Sequence, residues 1–265
     1  MKINWNLMRD IIRVDLITMR GGRNNTLLTL ILFSGFMGLM GFIVSPLGGL
    51  YVPLLLGGFF VPLLFNNEMK YHSGKLWSLL PVERRDLVNA RFLLSVGCFI
   101  AADLVFYLLM LLAQTIKLWK ITTGVNVDII EMTSQRLGYT ELGFFNLCYF
   151  GVSAFALGIM ASSLRKYFRD PDSFSNLLSG VMLRKSSRTE VLWLLIIGGV
   201  FVFWLLVISG ILPLGMAAQV VIRLISQLAR AANGYLLGAV LLTVTGFHTA
   251  YQYISTLIEF DQREL

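Results

Sequence analysis

Two ionisable side chains, Asp103 and His248, lie deep inside long apolar stretches of the sequence. Ionisable groups are costly in a lipid layer, so each of these side chains is a candidate for a functional role. Their predicted depths in such a layer differ by only about 7 Å, which would allow the two side chains to form a pair. The plainer interpretation, which we favour, is that each one hydrogen-bonds to a neighbouring helix.

A serine in a small-residue segment, Gly151-Val152-Ser153-Ala154, adds a second chemical possibility. Together with His248 it resembles the Ser/His dyad of rhomboid-type intramembrane proteases. Such a serine needs a base within hydrogen-bond reach and donors for the oxyanion. The family's final glycine is alanine here, and no glycines follow the histidine. Because small residues more often serve helix packing, the protease is kept as an alternative only.

Other chemistry has little support in the sequence. A phosphate-binding loop needs a leading glycine and a final Gly-Lys-Ser/Thr, and Gly74-Lys75 has neither the leading glycine nor the final hydroxyl residue. Cys98 and Cys148 have no His or Cys cluster beside them, so no metal site is predicted. A secondary transporter is a third possibility, although no inverted repeat is evident. The sequence therefore predicts no catalytic residue and no ATPase motif of its own.

The elements that must position these groups are membrane helices. The 265-residue chain is 56% hydrophobic and 14% charged, whereas soluble domains carry about 25% charged residues. The 44 residues between Asn24 and Asn67 contain no charge and are divided by a turn at Ser45-Pro46. We predict an all-helical membrane protein, a single transmembrane domain over residues 1–265. Its six spans are about 26–47, 50–65, 92–114, 142–164, 191–213 and 234–257.

Lysine and arginine are distributed unevenly among the connections between these spans. Cytoplasmic loops retain positive charge during insertion, and 17 of the 22 Lys and Arg residues fall on one predicted side. Both termini are therefore predicted to be cytoplasmic in a multi-pass protein of a cell membrane, for which we expect the bacterial plasma membrane. The net charge of +7 reflects this topology and attraction to anionic lipid, so no nucleic-acid partner is expected.

Amphipathic segments are predicted at two places outside the spans. Residues 1–23 carry apolar side chains at helical spacing with arginines elsewhere on the wheel, which predicts an interfacial elbow helix. This helix would either anchor the first span or move with a cytoplasmic partner. Apolar residues with helical period after Pro213 predict an outer interfacial or re-entrant helix before the last span. The apolar positions of the elbow helix are Trp5, Met8, Ile12, Leu16 and Met19.

The connection over residues 66–91 carries the most specific pattern in the chain. It contains an early acidic residue, a Leu-Pro-Val turn, a basic-acidic helix start and a basic residue at the next span. These positions are Glu68, Leu80-Pro81-Val82, Arg84-Arg85-Asp86 and Arg91. The pattern resembles the first cytoplasmic loop of ABC-2 type transporter permeases. The elbow helix, six spans and cytoplasmic termini also fit that family, so the resemblance extends over nearly the whole chain.

The same connection has a physical interpretation that does not depend on the resemblance. Pro81 disfavours helical geometry at the preceding residue and suits the first turn of a new helix. Glu83 and Asp86 place anions near the positive end of that helix. An apolar cluster lies just before the turn, and it either docks into a partner's groove or packs on its own helix ends. The members of the cluster are Leu76, Trp77, Leu79 and Leu80.

The resemblance implies the permease subunit of an ATP-driven exporter. Loop 66–91 would be a coupling helix that docks into separate ABC ATPase subunits, which hold ATP and Mg²⁺. A second permease, identical or related, would complete the transmembrane pathway, and the expected cargo is an amphipathic peptide or a hydrophobic antibiotic. Connection 165–190 offers a second contact for the ATPase at a predicted turn and helix start, although we favour the alternative that its six cations hold the loop inside and contact phospholipid. The residues of that contact are Asp170, Asp172 and Phe174.

Overall fold

A computed structural model describes residues 5–20, 26–44, 48–58, 65, 83–117, 140–169, 227 and 234–261. These residues are helical or lie in turns beside helices, and no strand occurs among them. The all-helical class is therefore confirmed. The long helices are α1 (Trp5–Arg20), α2 (Thr26–Val44), α3 (Arg84–Thr115), α4 (Glu141–Arg169) and α5 (Tyr235–Asp261). A 3₁₀ turn at Gly48–Leu50 leads into a short helical segment over residues 51–58.

Two of the described helices, α3 and α4, are long and apolar enough to cross a membrane. Their 32 and 29 residues correspond to about 48 and 44 Å, more than the 30 Å or so of a hydrocarbon core. They extend beyond the predicted spans 92–114 and 142–164 because each helix continues into a polar end. Helix α3 begins at Arg84, and α4 ends at Arg169.

The remaining predicted spans correspond to the structure only in part. Helix α2 lies within the span predicted over 26–47, and α5 matches the one predicted over 234–257 to within a few residues. The span predicted over 50–65 is described as helix over 51–58 and at Phe65. The span predicted over 191–213 lies outside the described residues, as does the outer helix except for Gln227. The count of six spans stays a prediction.

Helix α4 forms the centre of the described bundle, packing along α5 and against α3. Residues 143–147 are all buried, and from Tyr149 onward the buried side chains recur with helical spacing, as expected for one face of a helix. Phe145, Tyr149, Met160 and Leu164 on this face are at most 1% exposed. The α3 side chains Phe99, Phe106 and Met110 pack into the same apolar core.

Helix α1 packs against α3 and α2 with a face that includes part of the predicted apolar stripe, since Met8 is buried and Ile12 packs against the core. Met8, Ile11 and Asp15 are buried, whereas Trp5, the first residue of the predicted stripe, is 65% exposed. The face that contacts the bundle therefore includes an acidic residue. The reason is that a basic side chain of α3 lies opposite, as described below.

Candidate functional site

The first turns of α3, residues 84–92, are called the α3 base below. All seven residues from Asp86 to Phe92 are buried. Side chains of a helix point in all directions, so a run of this kind requires neighbouring elements on every side. The described neighbours are α1, α4 and α5.

The α3 base contacts the C-terminal part of α5 through polar groups and aromatic rings. Arg84 donates from Nη1 to the carbonyl oxygen of Phe260 at 3.2 Å, and its guanidinium lies 5.9 Å from the Phe260 ring centroid. Tyr253 donates its hydroxyl proton to Oδ1 of Asn89. The rings of Phe92 and Tyr253 meet edge to face, with centroids 5.4 Å apart. Together these contacts hold the end of α5 on the α3 base.

The Arg91 junction consists of Asp15, Phe65, Arg91 and Tyr167, which come from four separate parts of the chain. Arg91 is only 1% exposed. Its Nε lies 3.5 Å from Oδ2 of Asp15 on α1, and its Nη1 donates to the Tyr167 hydroxyl on α4 at 2.9 Å. The guanidinium carbon lies 4.6 Å from the centroid of the Phe65 ring, which stacks on Tyr167 at 4.4 Å. A buried cation requires such partners, because an uncompensated charge in the interior is very costly.

A second polar cluster joins α3 to α4 in the middle of the bundle. Asp103 accepts hydrogen bonds at Oδ1 from the hydroxyls of Tyr149, at 3.0 Å, and Ser153, at 3.1 Å. The Tyr149 hydroxyl also lies 3.0 Å from the carbonyl oxygen of Asp103. One carboxylate oxygen thus accepts from two residues one turn apart on α4. Such contacts stabilise pairs of apolar helices where water is absent.

A third polar group, the α4–α5 seam, consists of Ser162, Arg165, His248, Gln252 and Glu259. His248 Nε2 lies 3.4 Å from the Ser162 hydroxyl and 3.3 Å from the Gln252 amide nitrogen. Arg165 Nη1 donates to Gln252 Oε1 at 3.0 Å, and the same guanidinium forms an ion pair with Glu259. The seam therefore extends from the middle of α5 toward its C-terminal end.

Asp103 and His248 lie at different levels of this bundle. Asp103 contacts Ser153, and His248 contacts Ser162, nine residues and about 14 Å further along α4. The pair that the sequence allowed is not the arrangement found, because the two side chains contact α4 at different levels. The proposed Ser/His dyad is not formed either, since the Ser153 hydroxyl donates to Asp103.

Of the predicted coupling loop, residues 66–91, the structure describes only residues 83–91. Helix α3 begins at Arg84, so Arg84, Arg85 and Asp86 form its first turn. Glu83 precedes it in extended conformation, and Asp86 is an acidic residue near the positive end, where anions are favourable. Two groups of predicted residues lie outside the described residues. They are Glu68, Leu76, Trp77, Leu79, Leu80, Pro81 and Val82 in the first loop, and Asp170, Asp172 and Phe174 in the second.

Sequence reasoning missed the partners of two arginines. It treated Arg91 as the basic residue that opens a span and Arg165 as one of many cytoplasmic cations. Asp15 was available as a signal, because it follows Met8 and Ile11 at helical spacing on one face of α1. An acidic side chain within an apolar face indicates a cationic partner opposite.

The polar clusters described above are contacts between helices. Within the described ranges, no three His, Cys, Asp or Glu side chains are grouped as metal ligands would be. The class defined by these observations is a helical protein in which two helices could span a membrane, with polar junctions between its helices. No family model, no curated protein and no solved structure matches the chain.

Replacing Asp103 tests whether its two hydrogen bonds join α3 to α4. We expect Asp103→Leu to lower the free energy of unfolding by about 1–2 kcal/mol, because Tyr149 and Ser153 both lose their side-chain acceptor. Asp103→Asn keeps an oxygen at the same position and should cost less. The measurement is the unfolding midpoint of the detergent-solubilised protein. Equal midpoints for the two variants would show that the hydrogen bonds contribute nothing.

Proposed function

We propose that this chain is the membrane-spanning permease subunit of an ATP-driven ABC exporter of the ABC-2 type. It crosses a bacterial plasma membrane six times with both termini in the cytoplasm, and it pairs with a second identical or related permease. The apolar composition, the uneven distribution of Lys and Arg and the loop pattern over residues 66–91 support this proposal. The two helices that could span a membrane are consistent with it.

The observation that carries the proposal is the continuity between the predicted coupling loop and the α3 base. Helix α3 begins at Arg84, two residues after Val82 of the Leu-Pro-Val turn. Its base contacts α1 through Asp15, α4 through Tyr167 and α5 through Phe260. A partner that displaces the loop would therefore act on all three helices at once. A membrane subunit that depends on an ATPase outside the membrane needs such a connection.

ATP and Mg²⁺ are bound by the partner ATPase, and this chain contributes the surface to which the ATPase binds. Leu76, Trp77, Leu79 and Leu80 form the apolar part of that surface, with Glu68 and the first turn of α3 beside it. The second contact is at Asp170, Asp172 and Phe174. The cargo is an amphipathic peptide or a hydrophobic antibiotic, because the spans supply aromatic and methionine side chains rather than charges.

An intramembrane serine protease is not proposed. Its nucleophile would be Ser153, whose hydroxyl donates to Asp103, and its base would be His248, which lies beside Ser162. A serine and its base must be within hydrogen-bond reach of each other. The contacts that support export therefore have no counterpart in support of proteolysis.

The proposal is tested by purifying the protein in detergent from its native cells and measuring Mg²⁺-dependent ATP hydrolysis in the purified fraction. We expect hydrolysis to copurify with the wild type and to be lost in Leu80→Asp, because a charge in the apolar cluster opposes docking into a groove. Leu80→Ile is the matched control, since it keeps an apolar side chain of the same size, and it should retain the ATPase.

Expression level and helical content must be equal in the three preparations. Absence of ATP hydrolysis from the wild-type fraction, with the protein folded, would contradict the proposal. Hydrolysis that copurifies equally with Leu80→Asp would place the contact with the ATPase elsewhere on the chain.

A further inference from the structure

The Arg91 junction includes Phe65, which precedes segment 66–82, and Arg91, which lies nine residues after that segment and ends the predicted coupling loop 66–91. Phe65 immediately precedes this segment, and its ring lies under the Arg91 guanidinium at 4.6 Å. Arg91 itself belongs to the α3 base, which begins just after the segment. Both ends of the predicted coupling loop are therefore held by the same buried side chain. The junction also includes α1 and α4, which the loop pattern alone does not involve.

The chemistry of arginine suits such a junction. A guanidinium is planar, so its edge can donate hydrogen bonds while its face packs on an aromatic ring. At Arg91, Nη1 donates to the Tyr167 hydroxyl, Nε lies at ion-pair distance from Asp15 Oδ2 without a hydrogen bond between those two atoms, and the face lies on Phe65. A lysine ammonium has no such face. The identity of this residue therefore matters beyond its positive charge.

The pair of Arg91 with Asp15 also connects α1 to α3. Asp15 is buried while α1 packs on α3, and a buried carboxylate beside a buried guanidinium has little tolerance for partial separation. Movement of α1 away from α3 would break this pair and expose Asp15 to water, so a docked and a released α1 would be two distinct arrangements. Packed elements with two arrangements of this kind can pass on a displacement.

We propose that Arg91 is the positioning residue through which movement of the predicted coupling loop reaches α1 and α4. Docking of α1 depends on the Asp15–Arg91 pair, and release of that pair accompanies displacement of the loop by the ATPase. The docking part stands on the contacts alone. The transmission part rests on the function proposed above.

Hydrogen–deuterium exchange of the purified full-length protein tests the docking part. We expect Asp15→Asn to raise the exchange rate of the α1 amides over residues 8–16 by about tenfold, since the amide side chain no longer balances the buried guanidinium. Asp10→Asn is the matched control on the same helix, because the Asp10 side chain is 62% exposed and pairs with exposed Arg9. The control should leave the exchange of α1 unchanged.

Tyr167→Phe provides a second and milder variant of the same junction. It removes only the hydroxyl that accepts from Arg91 and keeps the ring that stacks on Phe65. We expect a smaller increase in α1 exchange than with Asp15→Asn, with the whole protein still folded. If neither variant changes α1 exchange relative to Asp10→Asn, the docking part is overturned.

Exchange measured on the complex with its ATPase tests the transmission part. ATP should change the exchange of α1 in the wild type and in Asp10→Asn, but not in Asp15→Asn, although the ATPase remains bound to all three. A purely structural role for Arg91 would leave this ATP response in place. An ATP response retained by Asp15→Asn therefore overturns transmission through the junction.

The two proposals fail in different ways. If no ATPase copurifies with any form of the protein, both the proposed function and the proposed transmission through Arg91 are wrong. The docking of α1 through Asp15 is still tested, by hydrogen–deuterium exchange of the isolated chain. If the ATPase copurifies and α1 does not respond to ATP in the wild type, the function stands and transmission to α1 is wrong.

Discussion

Replacing Arg91 with methionine should lower the free energy of unfolding by about 3–5 kcal/mol, the usual cost of removing one partner from a buried ion pair. Methionine fills much of the space but leaves the Asp15 carboxylate in a buried position without its cation. It also removes the donor to the Tyr167 hydroxyl. A loss of this size is a large part of the stability of a typical protein. We expect a markedly lower unfolding midpoint in detergent and reduced accumulation in membranes.

Arg9→Met is the matched control for this prediction, because the Arg9 side chain is 76% exposed and its ion pair with Asp10 lies at the surface. Exposed pairs contribute about 0–1 kcal/mol, so its unfolding midpoint should stay close to that of the wild type. The double variant Asp15→Leu with Arg91→Met should recover part of the loss, since it removes both buried charges. Equal midpoints for Arg9→Met and Arg91→Met would show that the junction is not a buried pair.

The start of α3 illustrates what the sequence can predict. Pro81 disfavours a helix before it, and Glu83 and Asp86 favour a helix N-terminus just after it. These signals act over a few residues and do not depend on the rest of the fold. The helix begins at Arg84, at the predicted basic-acidic start, but Glu83 is extended, so Pro81 is not in the first turn of α3, where it was expected. Long apolar stretches are local in the same sense, which is why α3 and α4 were expected as helices.

The partners of Arg91 could not be predicted in the same way. Asp15, Phe65 and Tyr167 are separated from it by 26 to 76 positions, and no local pattern connects them. Counting Lys and Arg in connections assigns a cation to one side of the membrane, but it does not distinguish an exposed side chain from a buried one. The burial of Arg91 depends on how α1 and α4 pack on α3. That packing is a property of the whole bundle.

A similar depth in the membrane is also not sufficient to predict that Asp103 contacts His248. Two residues at similar depth are neighbours only if their helices are rotated to bring them together. Rotation follows from the whole packed face of a helix, and Asp103 is directed at Tyr149 and Ser153 of α4. His248 is directed at the same helix about two and a half turns further on, beside Ser162. Here α4 separates the two groups by contacting each of them at a different level.

Close contact between the segment over residues 51–58 and α4 leads to a second large expected effect. A Cβ added at Gly57 would lie 2.4 Å from the carbonyl oxygen of Ala156 and 2.8 Å from its Cα. These are backbone atoms, so no side-chain rotation can relieve the overlap. Gly57→Ala must therefore move the segment away from α4. We expect this variant to lower the free energy of unfolding by about 1–3 kcal/mol, as overpacking of a well-packed core does.

Gly58→Ala is an unusually close control, because it makes the same chemical change at the next residue of the same helical segment. Among the residues that the structure describes, none would have an atom within 4 Å of a Cβ at Gly58. Alanine also favours helix over glycine by up to about 1 kcal/mol, so Gly58→Ala should be neutral or slightly stabilising. Unfolding midpoints of the two variants, measured in the same detergent, separate packing from helix propensity. If Gly57→Ala is as stable as Gly58→Ala, the segment does not approach the α4 backbone this closely, and the predicted second span would pack elsewhere.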